Sequence, residues 1–223
     1  MKTLVTIDEL SKPILVEEAY DWIESLLKRF DKSEEFKQYL LLRKGVSGKI
    51  YNELLPLAVY GERIWRGQGV SLKYYPTSSQ SFDADFINDE NSLIERVEVT
   101  MATEGLEEQI QAETLVKYGW TPGFGMNEYG GNARNREIPE PEHRIYSQSE
   151  AIDKLTSLVN RAYNNKLQNR HKYHDLSLLI AFDCFVLNTA EEFNRIVGSI
   201  SVDKSTFNKV HFVDTGRRFY RAT

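Results

Sequence analysis

Apolar residues recur every three to four positions in six stretches of the chain, which is the spacing of one face of a helix. The predicted helices cover residues 13–30, 33–43, 48–65, 105–118, 147–169 and 190–200. Ser147 and Glu150 predict a capping box at the start of the fifth helix, and Gly119 predicts the end of the fourth. Pro56 lies inside the third helix, where it predicts a kink or a break.

Alternating apolar and polar residues predict a three-strand meander in the middle of the chain. Its strands cover residues 70–75, 81–87 and 93–101, and turns at 76–80 and 88–91 separate them. Residues 176–182 are continuously apolar, which is typical of a central strand covered on both faces. A last pair of strands, 209–214 and 218–221, surrounds Thr215 and Gly216.

The predicted elements form an α/β protein without internal repeats or a linker of low complexity. We interpret residues 1–46 as an N-terminal helical extension and residues 47–223 as the main α/β domain. Residues 119–146 contain five of the 13 glycines and three of the six prolines, so we predict a long functional loop or lid there.

Composition places the chain among ordinary folded proteins, since 41% of its residues are apolar and 27% are charged. The first residues lack a signal-peptide pattern and no apolar run has membrane-spanning length, so we expect a cytoplasmic protein without a membrane partner. The single cysteine, Cys184, excludes an internal disulfide and a cysteine-based zinc cluster. Its apolar neighbours favour a buried packing role over a nucleophile.

The net charge of −5 argues against a protein that coats nucleic acid through bulk charge. A local basic patch on an acidic chain is still enough for a compact nucleic-acid site. Three arginines in the predicted loop are candidate substrate contacts: Arg134, Arg136 and Arg144. A solvated surface is the other interpretation of such a cluster.

Acidic residues alternate with apolar ones in two neighbouring strands of the meander. Asp83 and Asp85 alternate with phenylalanine and alanine in the second strand, and Glu98 alternates with valines in the third. The acids therefore share one face of the sheet, and we expect the carboxyl groups of Asp85 and Glu98 to lie within a few ångströms of each other. This pattern predicts a two-carboxylate metal site, whereas a solvated outer face of a half-buried hairpin is the simpler alternative.

At these residues the chain resembles the PD-(D/E)XK superfamily, the restriction-endonuclease-like nucleases, whose core is helix, three-strand meander, helix and strand. Asp85-Phe-Ile matches the aspartate that opens the second core strand, and Glu98-Val-Thr100 matches the Glu-X-Lys element of the third. Glu53 fits the glutamate that the preceding helix often contributes. The resemblance covers residues 48–184, and it departs from the family at Thr100, where a lysine is expected.

The resemblance implies hydrolysis of phosphodiester bonds with Mg²⁺ or Mn²⁺ as cofactor. Asp85, Glu98 and the backbone carbonyl of Val99 would bind the cation, and Glu53 or Asp83 would contribute through water. Because some relatives carry the lysine on a neighbouring element, we assign the third catalytic role to Lys166, with Lys117 and Lys73 as the other candidates. For any one of these lysines a solvated surface position is the alternative.

Three functions therefore stay open. The first is a metal-dependent nuclease acting on nucleic acid, with DNA favoured over RNA and a homodimer left open. The second is a nuclease fold that has lost catalysis and binds nucleic acid or a protein partner, which the threonine at position 100 motivates. The third is a structural or inhibitory protein that recognises a basic partner through its acidic charge, although this would leave the paired acids unexplained.

Overall fold

The computed structural model of the 223-residue chain describes residues 4–32, 34–77, 80–121, 130–132, 135–138, 140–141, 146–173, 175–203 and 205–223. Helices form eight of its elements: α1 (Ile7–Leu10), α2 (Val16–Phe30), α3 (Glu34–Leu41), α4 (Val46–Lys49), α5 (Leu55–Trp65), α6 (Gly105–Tyr118), α7 (Gln148–Gln168) and α8 (Ala190–Gly198). Strands are β1 (Ile14–Leu15), β2 (Ser71–Tyr74), β3 (Ala84–Ile87), β4 (Leu93–Met101), β5 (Gly130–Asn132), β6 (Asn135–Glu137), β7 (Ser177–Phe182), β8 (Val210–Asp214) and β9 (Tyr220–Ala222).

Seven of these strands form one mixed sheet in the order β1-β2-β3-β4-β7-β8-β9. The strands from β1 to β4 pair antiparallel, and β9 pairs antiparallel with β8. Only β7 pairs parallel with its neighbours on both sides, β4 and β8. The protein is therefore mixed α/β with a mostly antiparallel sheet, and the predicted central strand does lie beside the meander.

Helices cover both faces of the sheet. On one face α2 and α5 pack against apolar residues of the meander, including Phe86 and Val97. On the other face α7 and α8 cover Leu178, Ile180 and Phe212. All six residues of β7 are buried, which confirms the interpretation of its apolar run as a strand covered on both sides.

The helix predicted around Pro56 is uninterrupted, but its hydrogen-bonding pattern changes from α-helical to π-helical and back. A π-helical turn, Ile50–Leu54, separates α4 from α5 and ends two residues before the proline. Proline lacks a backbone N–H and crowds the carbonyl one turn earlier, so a wider turn relieves a conflict that an α-helix would retain. Glu53 lies within this turn, which sets the direction of its side chain.

Several predicted boundaries are confirmed and others are wrong. The bounds of β4 and α6 agree with the prediction, and Ser147 with Glu150 does form the capping box of α7. In contrast, α2 begins three residues later than predicted, because Ile14 and Leu15 pair with β2 instead. Residues 1–46 thus contribute a strand to the main sheet, and α2 packs into the same core as α5.

The predicted loop at 119–146 is described only in part. Within it, β5 and β6 form a two-stranded antiparallel hairpin. Residues 122–129, 133–134, 139 and 142–145 lie outside the described part of the chain, and with them the prediction of a lid. Among the described residues, no helix combines the length and the apolar character that a membrane crossing requires.

Candidate functional site

Two carboxyl groups meet where β3 begins beside β4. The backbone N–H of Asp83 donates to the carbonyl of Val97 at 3.0 Å, and Oδ2 of Asp83 accepts from the N–H of Val99 at 2.8 Å. The carboxyl group of Asp83 also lies within hydrogen-bonding reach of Glu98. The backbone of β4 therefore holds Asp83 from two sides and brings it against the glutamate.

Lys166 reaches this acid pair from helix α7. Its ammonium donates a hydrogen bond to Oε1 of Glu98, and the two side chains are only 19% and 12% exposed. The ring of Tyr173 lies 5.2 Å from the same ammonium. Burial is the largest single influence and lowers the pKa of Lys166, but the charge of Glu98, the hydrogen bond to it and the effects of Tyr173 and Asp83 together outweigh burial. The net pKa is therefore raised and the lysine stays charged.

The protonation of Asp83 is strongly perturbed. Burial and the negative charge of Glu98 raise its pKa to about 6, and the hydrogen bond from Val99 and the charge of Lys166 only partly oppose them. One ammonium therefore does not fully compensate two buried carboxylates. A site with this excess of negative charge favours either a proton or an added cation.

Glu53 approaches the same site from the π-helical turn. The hydroxyl of Tyr74 donates a hydrogen bond to its carboxylate, and the ammonium of Lys49 lies 4.0 Å from it. Burial raises the pKa of Glu53, and the charge of Asp83 adds to that effect. The electrostatic coupling to Asp83 and to Lys166 shows that the glutamate borders the acid pair.

Asp85, the predicted metal ligand of β3, has other partners. Arg96 donates to both of its carboxylate oxygens, at 2.7 and 3.2 Å, and the hydroxyl of Tyr75 donates at 2.9 Å. The guanidinium of Arg96 also lies 4.1 Å above the ring of Phe82. Because Asp85 stands directly opposite Arg96, the acid beside Glu98 is Asp83, two residues earlier than expected.

The other residues considered in the sequence for the site lie away from the acid pair or outside the described residues. The ammonium of Lys117 donates to the carbonyl of Ile138 at 3.1 Å, and that of Lys73 lies 5.4 Å from the ring of Tyr75, so Lys166 is the candidate that contacts the acids. Thr100 lies on β4 opposite Ile180. Arg134, Arg144 and the side chain of Arg136 fall outside the described residues.

A cleft of about 310 Å³ opens over the acid pair. Besides Asp83, Glu98 and Glu53, aromatic and basic side chains line it: Tyr75, Phe82, Tyr173, Lys49 and Lys172. These aromatic residues were not predicted as part of the site from the sequence. The alternation of residues 70–75 offered one signal, because it places Tyr75 and Lys73 on the same face.

The acid pair suits Mg²⁺, although it is a sparse set of ligands. In the described part of the chain, no group of three or more His, Cys, Asp or Glu side chains is close enough to hold a metal ion. Mg²⁺, however, is commonly bound by one or two carboxylates and completes its octahedron with water and substrate phosphate. The carboxylates of Asp83 and Glu98 form a pair of this kind, and burial together with the negative charge of Glu98 raises the pKa of Asp83.

Comparisons with known proteins identify no relative. No family model matches the chain, and no curated protein or solved structure is similar to it at a significant level. The function is therefore argued from the fold and from the site alone.

Proposed function

We propose that the chain is a divalent-metal-dependent nuclease of the restriction-endonuclease-like class that hydrolyses phosphodiester bonds, with DNA as substrate. The catalytic group consists of Asp83, Glu98 and Lys166, and Glu53 borders it. One observation carries the proposal: Asp83, just before β3, and Glu98, on the adjacent strand β4, line one open cleft, and the largely buried Lys166 donates a hydrogen bond to Glu98. Perturbed ionisable groups gathered in a cleft mark a functional site more often than a purely structural one.

The order of elements supports this class. Helical residues 46–65 precede the antiparallel meander of β2, β3 and β4; α6, the β5–β6 hairpin and α7 follow, and β7 then joins the meander at β4. The restriction-endonuclease-like core has helix, three strands, helix and strand in this order, and this chain differs in having α6 and the hairpin in addition to α7 before the last strand. The acids also lie on the second and third strands of the meander or at their ends, and Glu53 lies on the preceding helix.

In the proposed reaction Asp83 and Glu98 would hold Mg²⁺ or Mn²⁺. The bound cation would polarise the scissile phosphate and lower the pKa of the attacking water. Lys166 keeps its proton because of Glu98, so its ammonium is available to contact a phosphate oxygen or to orient water. The hydrogen bond from Val99 fixes the carboxylate of Asp83, and Tyr74 does the same for Glu53. Lys172 is exposed at the rim of the cleft, where it would attract the phosphate backbone.

One observation favours a second function, a nuclease fold that binds nucleic acid without cleaving it. Glu98 already has a cationic partner in Lys166, and an ion pair between two largely buried side chains costs energy to open. If the pair stays closed, the cleft would still present aromatic and basic side chains to a strand of nucleic acid. This alternative predicts binding of nucleic acid without binding of a cation.

Calorimetry with Mn²⁺ and cleavage assays on the full chain test the proposal. We expect the wild type to bind Mn²⁺ and to cleave DNA, and we expect Asp83→Asn and Glu98→Gln to reduce both, with cleavage falling by about 100-fold or more. Glu191→Gln is the matched control, since this exposed residue of α8 lies on the other side of β7 and loses the same charge. Absence of Mn²⁺ binding in the wild type would refute the nuclease proposal, and nucleic-acid binding alone would favour the second function.

A further inference from the structure

A second cleft, of about 300 Å³, lies far along the sheet from the acid pair. It is enclosed by the last turns of α5 and by the turn between β8 and β9. Three arginines line it together with one acid and one tyrosine: Arg63, Arg66, Arg217, Glu62 and Tyr220. Neither the proposed nuclease site nor the resemblance to nucleases involves any of these residues.

The charges in this cleft are unbalanced. Glu62 accepts from Arg66 at 3.2 Å and from Arg217 at 2.6 Å, and its side chain is only 11% exposed. Arg63 is exposed and forms no ion pair with any described residue. Three guanidinium groups against one carboxylate leave an excess of two positive charges, on a chain whose net charge is −5. A local positive field on an acidic protein selects anions at that place.

An aromatic ring orients one arginine of the cleft. The guanidinium of Arg217 lies 4.2 Å from the ring of Tyr20 on α2, which fixes its direction. Residues Val59 and Val213 close the bottom of the cleft with apolar surface. The guanidinium of Arg217 is therefore oriented in advance, and a preoriented donor loses less entropy when it binds a ligand.

A buried chain of hydrogen bonds anchors Tyr220. Its hydroxyl lies 2.9 Å from Nδ1 of His211, and Nε2 of the same ring lies 3.3 Å from Oε1 of Glu95 and 3.0 Å from the hydroxyl of Tyr60. Tyr60 donates its only hydrogen to Glu95 at 2.6 Å, so Nε2 of His211 must be the donor in its own contacts. In the neutral ring Nδ1 then accepts from Tyr220. The tyrosine is thereby held at the wall of the cleft and does not swing in to fill it.

We propose that this arginine cleft binds a phosphate group, either the free ion or the phosphate of a mononucleotide. Guanidinium groups match the oxygens of phosphate in pairs, and an excess of two positive charges matches a phosphate dianion better than a single carboxylate. The volume is at the lower end of that found for small-ligand pockets, so a small ligand fits it. Arg63 supplies a guanidinium that is not paired with a carboxylate of any described residue.

Calorimetry of the full chain with inorganic phosphate tests this site at constant ionic strength. We expect the wild type to bind one phosphate, and we expect Arg63→Gln to weaken binding by about tenfold or more, since one charge-assisted contact is lost. Arg195→Gln is the matched control, because this exposed arginine lies on α8, on the opposite face of the sheet. No phosphate binding in the wild type, or equal weakening by both substitutions, would overturn the proposal.

Three further titrations distinguish the free ion from the mononucleotide as ligand and test whether the arginine cleft is independent of the acid pair. A nucleoside 5′-monophosphate that binds more tightly than inorganic phosphate would identify the mononucleotide as ligand, and equal or weaker binding would identify the free ion. The unphosphorylated nucleoside should not bind in either case. Glu98→Gln should leave phosphate binding unchanged, because the arginine cleft does not depend on the acid pair. Loss of phosphate binding in this variant would overturn the proposal that the arginine cleft is a separate site.

Discussion

Replacing Asp83 by asparagine should stabilise the metal-free protein at pH 7, although it removes a residue of the proposed catalytic group. The reason is the raised pKa of this carboxyl group, whose causes are burial and the charge of Glu98. Asparagine has nearly the same shape and can still accept the hydrogen bond from Val99 through its amide oxygen. It does not carry the charge that the folded state disfavours.

The size of the effect follows from the pKa. In the folded protein the pKa rises from 3.8 to about 6, and a shift of one pKa unit corresponds to about 1.4 kcal/mol. The charged carboxylate thus costs the fold roughly 3 kcal/mol as an upper limit. Part of this energy belongs to Glu98, because the two carboxyl groups interact. In addition, the hydrogen bond from Val99 weakens by about 1 kcal/mol when its acceptor becomes neutral. We therefore expect a net gain of about 1 to 2 kcal/mol in the free energy of unfolding.

The direction of the pKa shift determines how the free energy of unfolding changes with pH. Because the folded state binds the proton more tightly than the unfolded state, the wild type loses stability as the pH rises from about 4 to about 6. Above that range the cost is fully present, and below it Asp83 is protonated in both states. Urea unfolding at pH 4 and pH 7 should therefore show the advantage of Asp83→Asn at pH 7 only.

The same unfolding experiment, repeated with Mn²⁺, tests whether the acid pair binds a cation. A cation held by the acid pair should stabilise the wild type, by about 2.7 kcal/mol at a concentration 100 times the Kd, and it should not stabilise Asp83→Asn to the same extent. The order of stabilities would then reverse on adding the metal. If Asp83→Asn is instead less stable than the wild type at pH 7 without metal, the excess of negative charge at this site does not exist and the argument for a cation fails.

Four other substitutions or measurements check separate parts of the structure. Asp85→Asn should lower the free energy of unfolding by about 2 kcal/mol, because Arg96 loses its charged partner, and Mn²⁺ binding measured by calorimetry should persist. Lys166→Met should keep or strengthen Mn²⁺ binding, because Glu98 is released, while DNA cleavage falls by about 100-fold; unchanged cleavage would return this lysine to a structural role. Gly61→Ala should destabilise the fold by about 1 to 3 kcal/mol in urea unfolding, since its Cβ would lie 2.6 Å from the ring of Phe86. Cys184 should react with a thiol reagent only after unfolding, because burial raises its pKa.

The pattern of the sequence was sufficient for elements that show a long, regular period. Strand β4 alternates regularly from Arg96 to Met101 and α6 has a glycine at its left-handed C-terminal position, and both were predicted with correct bounds. Strand β1 was missed, because two residues cannot show a period of two. Its existence depends on pairing with Ser71 and Leu72, which lie more than 50 residues away in sequence.

The candidate site, too, was predictable from the sequence only in part. Alternation correctly places the acids of β3 and β4 on one face, but it does not determine which residues stand opposite each other. The pairing of β3 with β4 is irregular, and Asp83 bonds to the β4 backbone through its side chain as well as its N–H. The choice between Asp83 and Asp85 therefore depends on register, which is a tertiary property.

Lys166 illustrates how the chemistry of the proposed site can depart from its sequence motif. The proposed reaction needs an ammonium near Glu98, and the third strand is only one place from which a side chain can supply it. Here the packing of α7 directs the lysine, since Ala162 and Tyr163, one turn earlier, are buried against Leu178 and Ile180 of β7. The hydroxyl of Tyr163 also accepts from the backbone of Asp203 at 2.6 Å, which fixes the rotation of the helix. A threonine at position 100 is then compatible with the proposed catalysis, because the packing of α7 in the core positions Lys166 near Glu98. The third strand does not have to supply the lysine.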